Sequence, residues 1–538
     1  NGVPFAGGTY FPPKEMHGRP SFNQVILNVS KVYNENREKI ISQASQLQSV
    51  FKDLHRKNAV VKQDLEPYAE KIIGYLDFDN GGFKGAPKFP QFYIFQTLFY
   101  FFKMNSNSNF IKPVETLLTK ISSKGIYDHV GGGISRYTID EKWIIPHFEK
   151  MLYDNIQYVF LLSHYLSSFN SQYLSNKLKQ TINFINSEFK SEYDLLGSAL
   201  DADSEGVEGK YYTWSYEELR NILKDKFEIF KKYYEISESG NFEGKNIIVE
   251  KDNIKINNEE LKEIEILIKS LKKERNKRVK PFFDNKVQID LNCFWLYSNL
   301  YCSLVLNDSK LYDNSVATSK RLIRKLGNKI YHCFTKSNSN TNVFLEDYSY
   351  YCLLLITLYE LEHDNESLNL CQELMQKSWD LFYNDQYNLL QKNIVQTNDL
   401  FVNPIDISDN NLPNGNSIYL LICNKLKNIT NKKDWDNKIH ILSKTFHSYI
   451  NYNFSQMFSF IKILNICEND ITITFNGDFN KYRSLLKKIN INYLTDTTII
   501  HKVNQKEFFV VICKNQTCSQ KLKDIDEIDK YLKNLKNV

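Results

Sequence analysis

No stretch of this 538-residue chain stays apolar over the roughly 18 residues that a bilayer-spanning helix needs. The richest candidate, Met151 to Leu166, is interrupted by Asp154, Asn155, Gln157 and His164. An excess of one charge is also lacking. Against 63 Asp and Glu stand 68 Lys and Arg, a balance of +5. That is too little for the dense basic footprint of a dedicated nucleic-acid binder, so neither nucleic acid nor membrane is an expected partner. Gly and Pro are scarce, at 20 and 12, and helical periodicity runs with few interruptions. There is no Gly-x-Ser-x-Gly elbow, His-Glu-x-x-His pair or phosphate-binding Walker loop, which removes several hydrolase and nucleotide-binding mechanisms. Nine cysteines are present without a Cys-x-x-Cys pair. Cys513 and Cys518 stand apart with no second pair, so no zinc site is indicated, and no metal or cofactor is expected.

The other cysteines tell of their surroundings. Cys293, Cys302, Cys333, Cys352, Cys371 and Cys423 lie in apolar, helix-like segments, where a reduced buried thiol is expected. That favours a reducing, cytoplasmic compartment. Asn1-Gly2-Val3-Pro4 reads like the middle of a turn, as if the chain began within a longer one.

Apolar positions recur with helical spacing from Ser21 to Leu54, then at about 64–78, 91–104, 109–124, 147–169 and 172–190. The pattern resumes at about 284–306, 309–327, 343–362, 365–384, 414–427, 432–450 and 454–468. Leaving aside the first, twelve helices joined largely by short connections make six antiparallel hairpins, which fit a closed double ring, the (α/α)6 toroid. A solenoid of helix pairs is the alternative, although no fixed-period repeat supports it. Gly8 to Phe11 reads as a short strand. Residues 191–283 form an insertion with a hairpin-like section (Ser198 to Ser215) and a charged helix (Glu259 to Arg278). Beyond Ile471 a small α/β unit follows. The expected divisions are therefore 1–55, 56–470 carrying the insertion, and 471–538.

The polar, glycine-bearing signals fall between the helices, where the mouth of a toroid would be. One is Gly81 to Pro90, with Pro90 placed to open the next helix. The second holds Asp128, Gly131-Gly132-Gly133, Arg136, Tyr137, Trp143, His147, Glu149 and Asp154. Three consecutive glycines make sense where backbone approaches a ligand or another segment closely. A helix begun by Pro146 would put His147 in its first turn and align His147, Met151 and Asp154 on one face. The third, Asp201, Asp203, Glu205 and Glu208, crowds four carboxylates, an arrangement used for paired acid and base, or simply a solvated turn. Its match to a calcium loop fails at the twelfth position, Tyr212. Phe344 to Tyr348, with Asp347, and Pro413 to Ser417 open two further helices.

In order, Gly7 to Pro12, Gly81 to Pro90, Asp128 to Asn155, Asp201 to Trp214, Gly240 to Asn246, Phe344 to Tyr348, Pro413 to Ser417 and the Cys513 to Cys518 tail resemble the YyaL / spermatogenesis-associated thioredoxin-like family. The resemblance implies a thioredoxin-like domain, of which residues 1–55 would be the last strand and helix, followed by a barrel related to six-hairpin glycosidases and sugar 2-epimerases. It also implies a carbohydrate substrate, isomerised, epimerised or hydrolysed. In that reading Asp201 and Asp203 are the acid/base pair and His147 relays a proton. Arg136 and Glu149 orient hydroxyls or a carboxylate, Asp128, Asp154 and Asp347 bind substrate, and Tyr137, Trp143 and Trp214 offer flat faces to a sugar ring. This chain has Ile134-Ser135, Asn285 and Leu291 where the family has Phe-His, Asp and Trp. Those differences favour a second reading, a non-catalytic barrel that binds sugar or a protein partner, with a redox or docking role for the thioredoxin-like part.

Overall fold

The computed structural model describes residues 3–16, 18–53, 62–254, 257–334, 339–340, 342–394, 405–503, 507–515 and 517–535. Asn1, Gly2, Leu54 and Gln516, each part of a motif or segment named above, lie outside them.

Inner and outer helices differ already in their residues. Ile289–Leu306 is buried on every face from Ile289 to Ser303, whereas Ser309–Leu326 buries only the stripe Tyr312, Ser315, Ser319, Leu322 and Leu326. A helix apolar all round needs cover on both sides; a striped one lies against a core with its back to water. Six of the first kind, Phe92–Asn105, Leu152–Leu166, Ile289–Leu306, Leu345–Glu362, Gly415–Thr430 and Phe458–Glu468, pack each on the next, and the last returns to the first. Six others, Glu66–Ile73, Ser108–Ser123, Gln172–Glu188, Ser309–Leu326, Asn365–Phe382 and Lys433–Asn453, stand around them. Outer and inner helices alternate along the chain, so all inner helices run in one direction. The ring is the (α/α)6 toroid, and its six inner N-termini share one end, the mouth.

Three asparagines tie that end together. Asn155 Oδ1 accepts the Ile134 N–H at 2.8 Å while its Nδ2 donates to the Ile134 carbonyl at 3.0 Å. Asn292 holds Leu196 in the same way, and Asn416 holds Leu390. A carboxamide carries the donor and acceptor of a peptide group, so it completes a backbone edge that has no strand beside it.

The opposite end is closed by the C-terminal unit. Its sheet has the order Thr498–Lys502, Ile471–Asn476, Phe509–Lys514, Thr517–Cys518, with the first two strands parallel. The buried Glu360–Lys425 pair, 2.8 Å apart at the C-terminal ends of two inner helices, accepts the Ile499 N–H at 3.1 Å, and the Tyr482 hydroxyl and His501 both meet the Glu360 carbonyl. The last two strands set Cys513 directly opposite Cys518, and the two form a disulfide, so these two cysteines are oxidised whatever the state of the rest. The seven other cysteines are free.

The insertion folds against the flank of the mouth. Its helices Tyr216–Leu223, Phe227–Tyr233 and Asn258–Arg275 enclose a separate core of Val130, Trp214, Leu219, Phe230 and Leu271. The first two are too short to show a clear period in the sequence.

Three local expectations are corrected. Gly8 to Phe11 forms no strand, having no neighbouring strand to take its N–H and C=O groups among the described residues. The long N-terminal helix is two, Phe22–Glu35 and Arg37–Asp53, the first capped by Ser21 and Gln24. The segment after Pro146 is extended rather than helical: His147 N–H bonds Tyr137, Arg136 N–H bonds Glu149, and Lys150–Met151 pairs with Ala199–Leu200. With its backbone groups already engaged, the chain turns helical only at Leu152. His147, Met151 and Asp154 therefore do not share a helix face.

Candidate active site at the mouth of the ring

Two groups of polar side chains occupy the inner N-termini. The first surrounds the start of Leu152–Leu166. Arg136 and Glu149 face each other across the extended ribbon and pair at 3.2 Å, both half-exposed. Beneath them lie Tyr153 and Asp154, each 8% exposed. Burial drives the Asp154 carboxyl well above the ordinary carboxylate range, opposed by the Arg136 guanidinium, and its Oδ2 has no hydrogen-bond partner among the described residues. A buried carboxyl whose proton affinity is raised, set beside a guanidinium–carboxylate pair, has the character of a general acid. On the outer side of the ribbon Tyr137 stacks between Phe89 (4.7 Å) and His147 (4.9 Å), forming a half-open aromatic rim.

The second group joins the starts of Ile289–Leu306 and Leu345–Glu362. Asp347 is fully buried; its Oδ2 accepts the Phe344 N–H at 2.9 Å, and both its oxygens face His332 Nδ1, at 3.1 and 3.2 Å. Burial raises Asp347 against the pull of His332. For His332 burial acts downward, but the Asp347 and Asp290 charges leave it raised. Burial and the Asp347 charge push Asp290 up to about 7. Burial pushes Glu346 likewise to about 7, and its Oε2 is buried without a partner among the described residues.

The residues expected from sequence are only partly brought together. Arg136, Glu149, Tyr137, His147 and Asp154 do gather. His147 Nδ1 meets Glu208 at 2.8 Å, and Glu208 stands opposite Asp203 in the hairpin Asp203–Ser204/Val207–Glu208. Asp201 and Asp203 are exposed, Asp201 directly after the strand that pairs with Lys150–Met151 and Asp203 in the hairpin itself. Flanking strands confirm that this is no helix–loop–helix calcium site.

Other assignments change. Asp128 is spent on structure: its Oδ1 accepts Val130 and Gly131 N–H and Arg275 Nη1, and its Oδ2 accepts Lys150 Nζ at 2.7 Å. Buried among those cations, its carboxyl sits far below the usual range. The glycines serve this clamp. A Cβ on Gly131 would fall 2.0 Å from Arg275 Nη2, and Gly133, at φ +78°, lies against Phe184. Trp143 and Trp214 are no sugar platforms, being 0% and 1% exposed. Trp143 donates to the Asn80 carbonyl, and the Arg278 guanidinium covers the Trp214 ring at 3.9 Å. Asp290, Glu346 and His332 do not figure among the site residues expected from sequence. One signal could have found the acids: three otherwise apolar helices each open with a carboxylate, at Asp154, Asp290 and Glu346-Asp347.

The ring's interior is largely filled. A cavity of ≈ 50 Å³ remains between Tyr93, Phe160, Phe294, Tyr297, Ile418 and Ser459. That is room for water, far below the roughly 300 Å³ at which small-molecule pockets begin.

Fold and mouth thus define a helical double-ring protein with buried acids and an imidazole at one end. Comparison with known proteins bears out the family resemblance. The family model Thioredox_DsbH, described as "Protein of unknown function, DUF255", matches residues 1–52. Human spermatogenesis-associated protein 20 is 24% identical over 98% of this chain and 78% of its own length, and the rat protein 26% identical over 82% of this chain and 64% of its own. Among solved structures, a D-mannose isomerase aligns with 71% of this chain and 84% of its own at 10% identity and a TM-score of 0.44. Among the described residues, no helix is long and apolar enough to cross a membrane.

Proposed function

We propose that the mouth is an acid–base site for a small polyhydroxylated substrate of the carbohydrate class, with Asp154 as proton donor and Arg136 and Glu149 holding hydroxyls or a carboxylate. The observation that carries this is the buried carboxyl of Asp154, its Oδ2 without a hydrogen-bond partner among the described residues and its proton affinity raised by burial, within reach of the charges of the half-exposed Arg136–Glu149 pair. A sugar's dense hydroxyls suit such closely set donors and acceptors, and the Phe89–Tyr137–His147 stack supplies an adjacent apolar edge. Both isomerisation and glycoside cleavage need a positioned proton donor. His147 and the hairpin carboxylates Asp201 and Asp203 take part, in this reading, from the rim.

The test is turnover of a panel of free sugars and glycosides, followed by NMR of the products. Asp154→Asn is expected to lower turnover by about 10²-fold or more at similar substrate affinity. Unchanged turnover in both Asp154→Asn and Arg136→Ala would dismiss the assignment. The filled interior favours one alternative: a barrel that binds sugar or a protein partner without transforming it. Sugar-dependent thermal stabilisation of the unmodified protein without any product, across the panel, would select that reading instead.

A further inference from the structure

One ligand-like atom each from Asp290, His332 and Asp347 lies within 4.8 Å of the other two. Ligand atoms bound at about 2.0–2.2 Å around a tetrahedral ion stand roughly 3.3–3.6 Å apart. His332 Nδ1 is already 3.1 and 3.2 Å from the Asp347 oxygens, so Asp290 is the group that has to close on them, by no more than about 1.5 Å. They come from three elements: the first turn of Ile289–Leu306, the short strand segment before Cys333–Phe334, and the first turn of Leu345–Glu362. Two inner helices fix the carboxylates. His332 is held by a ring contact with Phe344 at 4.7 Å and keeps about a fifth of its side chain open to solvent, which leaves an entry path. A further acid, Glu346, is adjacent to Asp347 in sequence and sits close enough to Asp290 for their charges to interact. Its Oε2 is buried without a hydrogen-bond partner among the described residues. Two carboxylates and one imidazole are thus collected, with the Glu346 carboxyl as a neighbour, and the Lys392 charge that acts on Asp290 and Glu346 belongs to a half-exposed side chain turned to Asp406 at 3.7 Å. Helix N-termini favour a single acid each and do not by themselves balance three.

We propose that Asp290, His332 and Asp347, with Glu346 as fourth ligand, bind one divalent cation at the mouth of the ring. A set of carboxylate oxygens with one imidazole nitrogen suits Mn²⁺ or Zn²⁺ better than Ca²⁺ or Mg²⁺. The ion takes the place now held by the proton that His332 Nδ1 shares with the Asp347 oxygens, and binding releases that proton. At the same end of the ring as the Arg136–Asp154 group, it would attract the oxygens of a hydroxyl- or carbonyl-bearing substrate. The cation site does not rest on the acid–base reading. Metal binding is measured without substrate, and Asp154→Asn leaves it intact.

The experiment is titration of the full chain with Mn²⁺ and, separately, Zn²⁺, by isothermal calorimetry and thermal shift, with electron paramagnetic resonance of the Mn²⁺ form. One ion per chain is expected, with a higher Tm and a nitrogen hyperfine signature from the imidazole. Asp290→Asn and His332→Gln should each weaken binding at least tenfold, and His332→Gln should erase the nitrogen signal. Glu346→Gln, the mildest change, should weaken binding while circular dichroism stays unchanged, which separates loss of the site from loss of the fold. Absence of saturable binding by either ion below about 1 mM (roughly −4 kcal/mol) would overturn the proposal. So would binding indifferent to all three variants, or binding abolished by Asp203→Asn on the exposed hairpin.

Discussion

Replacing Asn292 by alanine is the sharpest probe of how the mouth is held. The side chain is 1% exposed; its Oδ1 accepts the Leu196 N–H at 2.8 Å, and its Nδ2 donates to the Leu196 carbonyl at 3.0 Å and the Gln288 carbonyl at 2.8 Å. Leu196 is itself buried, and Asn292 completes its backbone edge. Truncation strands an N–H and a C=O away from water, at roughly 1–3 kcal/mol for each group, so a loss of about 3 kcal/mol is expected. Asn292→Asp should be no better. A carboxylate still receives the Leu196 N–H but turns an acceptor toward two carbonyl oxygens and buries a charge. Urea unfolding of both variants beside the parent, followed by far-ultraviolet circular dichroism, gives the comparison. Asn155→Ala, which breaks the equivalent clamp on Ile134, should lose a similar amount. A cost below about 1 kcal/mol for both alanine variants would refute the argument that these carboxamides complete the backbone at the ring's mouth.

Further outcomes follow from other buried groups. Burial holds His164 and His501 near 4, both at the junction of the ring with the C-terminal unit, where His164 faces Asn492 and His501 the Glu360 carbonyl. Between about pH 4 and 6.5 the unfolded chain therefore binds more protons than the folded one. Stability present above about pH 6.5 is lost on acidification toward 4, by up to about 3 kcal/mol per histidine. Urea midpoints at about pH 7 and 4.5 measure this, and an unaltered pH slope in His164→Gln/His501→Gln would contradict it. Arg275→Met should cost about 3–5 kcal/mol by leaving Asp128 and Lys150 in an incomplete buried charge cluster, read as a lower Tm and earlier proteolysis of the insertion. Gly131→Ala should destabilise by the same route, since its methyl would displace the Arg275 guanidinium; a Tm within about 1 °C of the parent would argue against that clamp.

The differing burial of the helices is legible in the residue pattern, because period is a property of sequence. Ile289–Leu306 reads apolar all round and lies inside the ring; Ser309–Leu326 reads as a stripe and lies outside. The motif from Asp128 to Asn155 is marked as special by its glycines and charges, and several of its residues do collect at the mouth. What each one does there is not legible. Asp128 and Asp154 are the same amino acid in one motif, yet Arg275, which arrives from 147 residues away, makes the first a clamp, while burial without such a partner makes the second an acid. Trp143 and Trp214 read as platforms because a sequence shows that an indole is present and not which of its faces is covered. The helix expected after Pro146, with His147 in its first turn, fails because the Pro146 signal is local, while the ribbon that overrides it is made by residues 136–138 and 199–200.

By itself, then, the sequence determined the number and kind of the ring's helices and the loops that carry its polar signals, since these depend on near-neighbour patterns of burial; that the helix pairs close into a ring rather than run on as a solenoid is decided by the contact of Phe458–Glu468 with Phe92–Asn105. Only the tertiary structure decided which carboxylates are neutralised by cations and which stand buried without them. It also brought Asp290, His332 and Asp347 from separate elements to within 4.8 Å. Proton affinity and ligand geometry are set by what lies across a few ångströms of space, and the chain order does not carry that information.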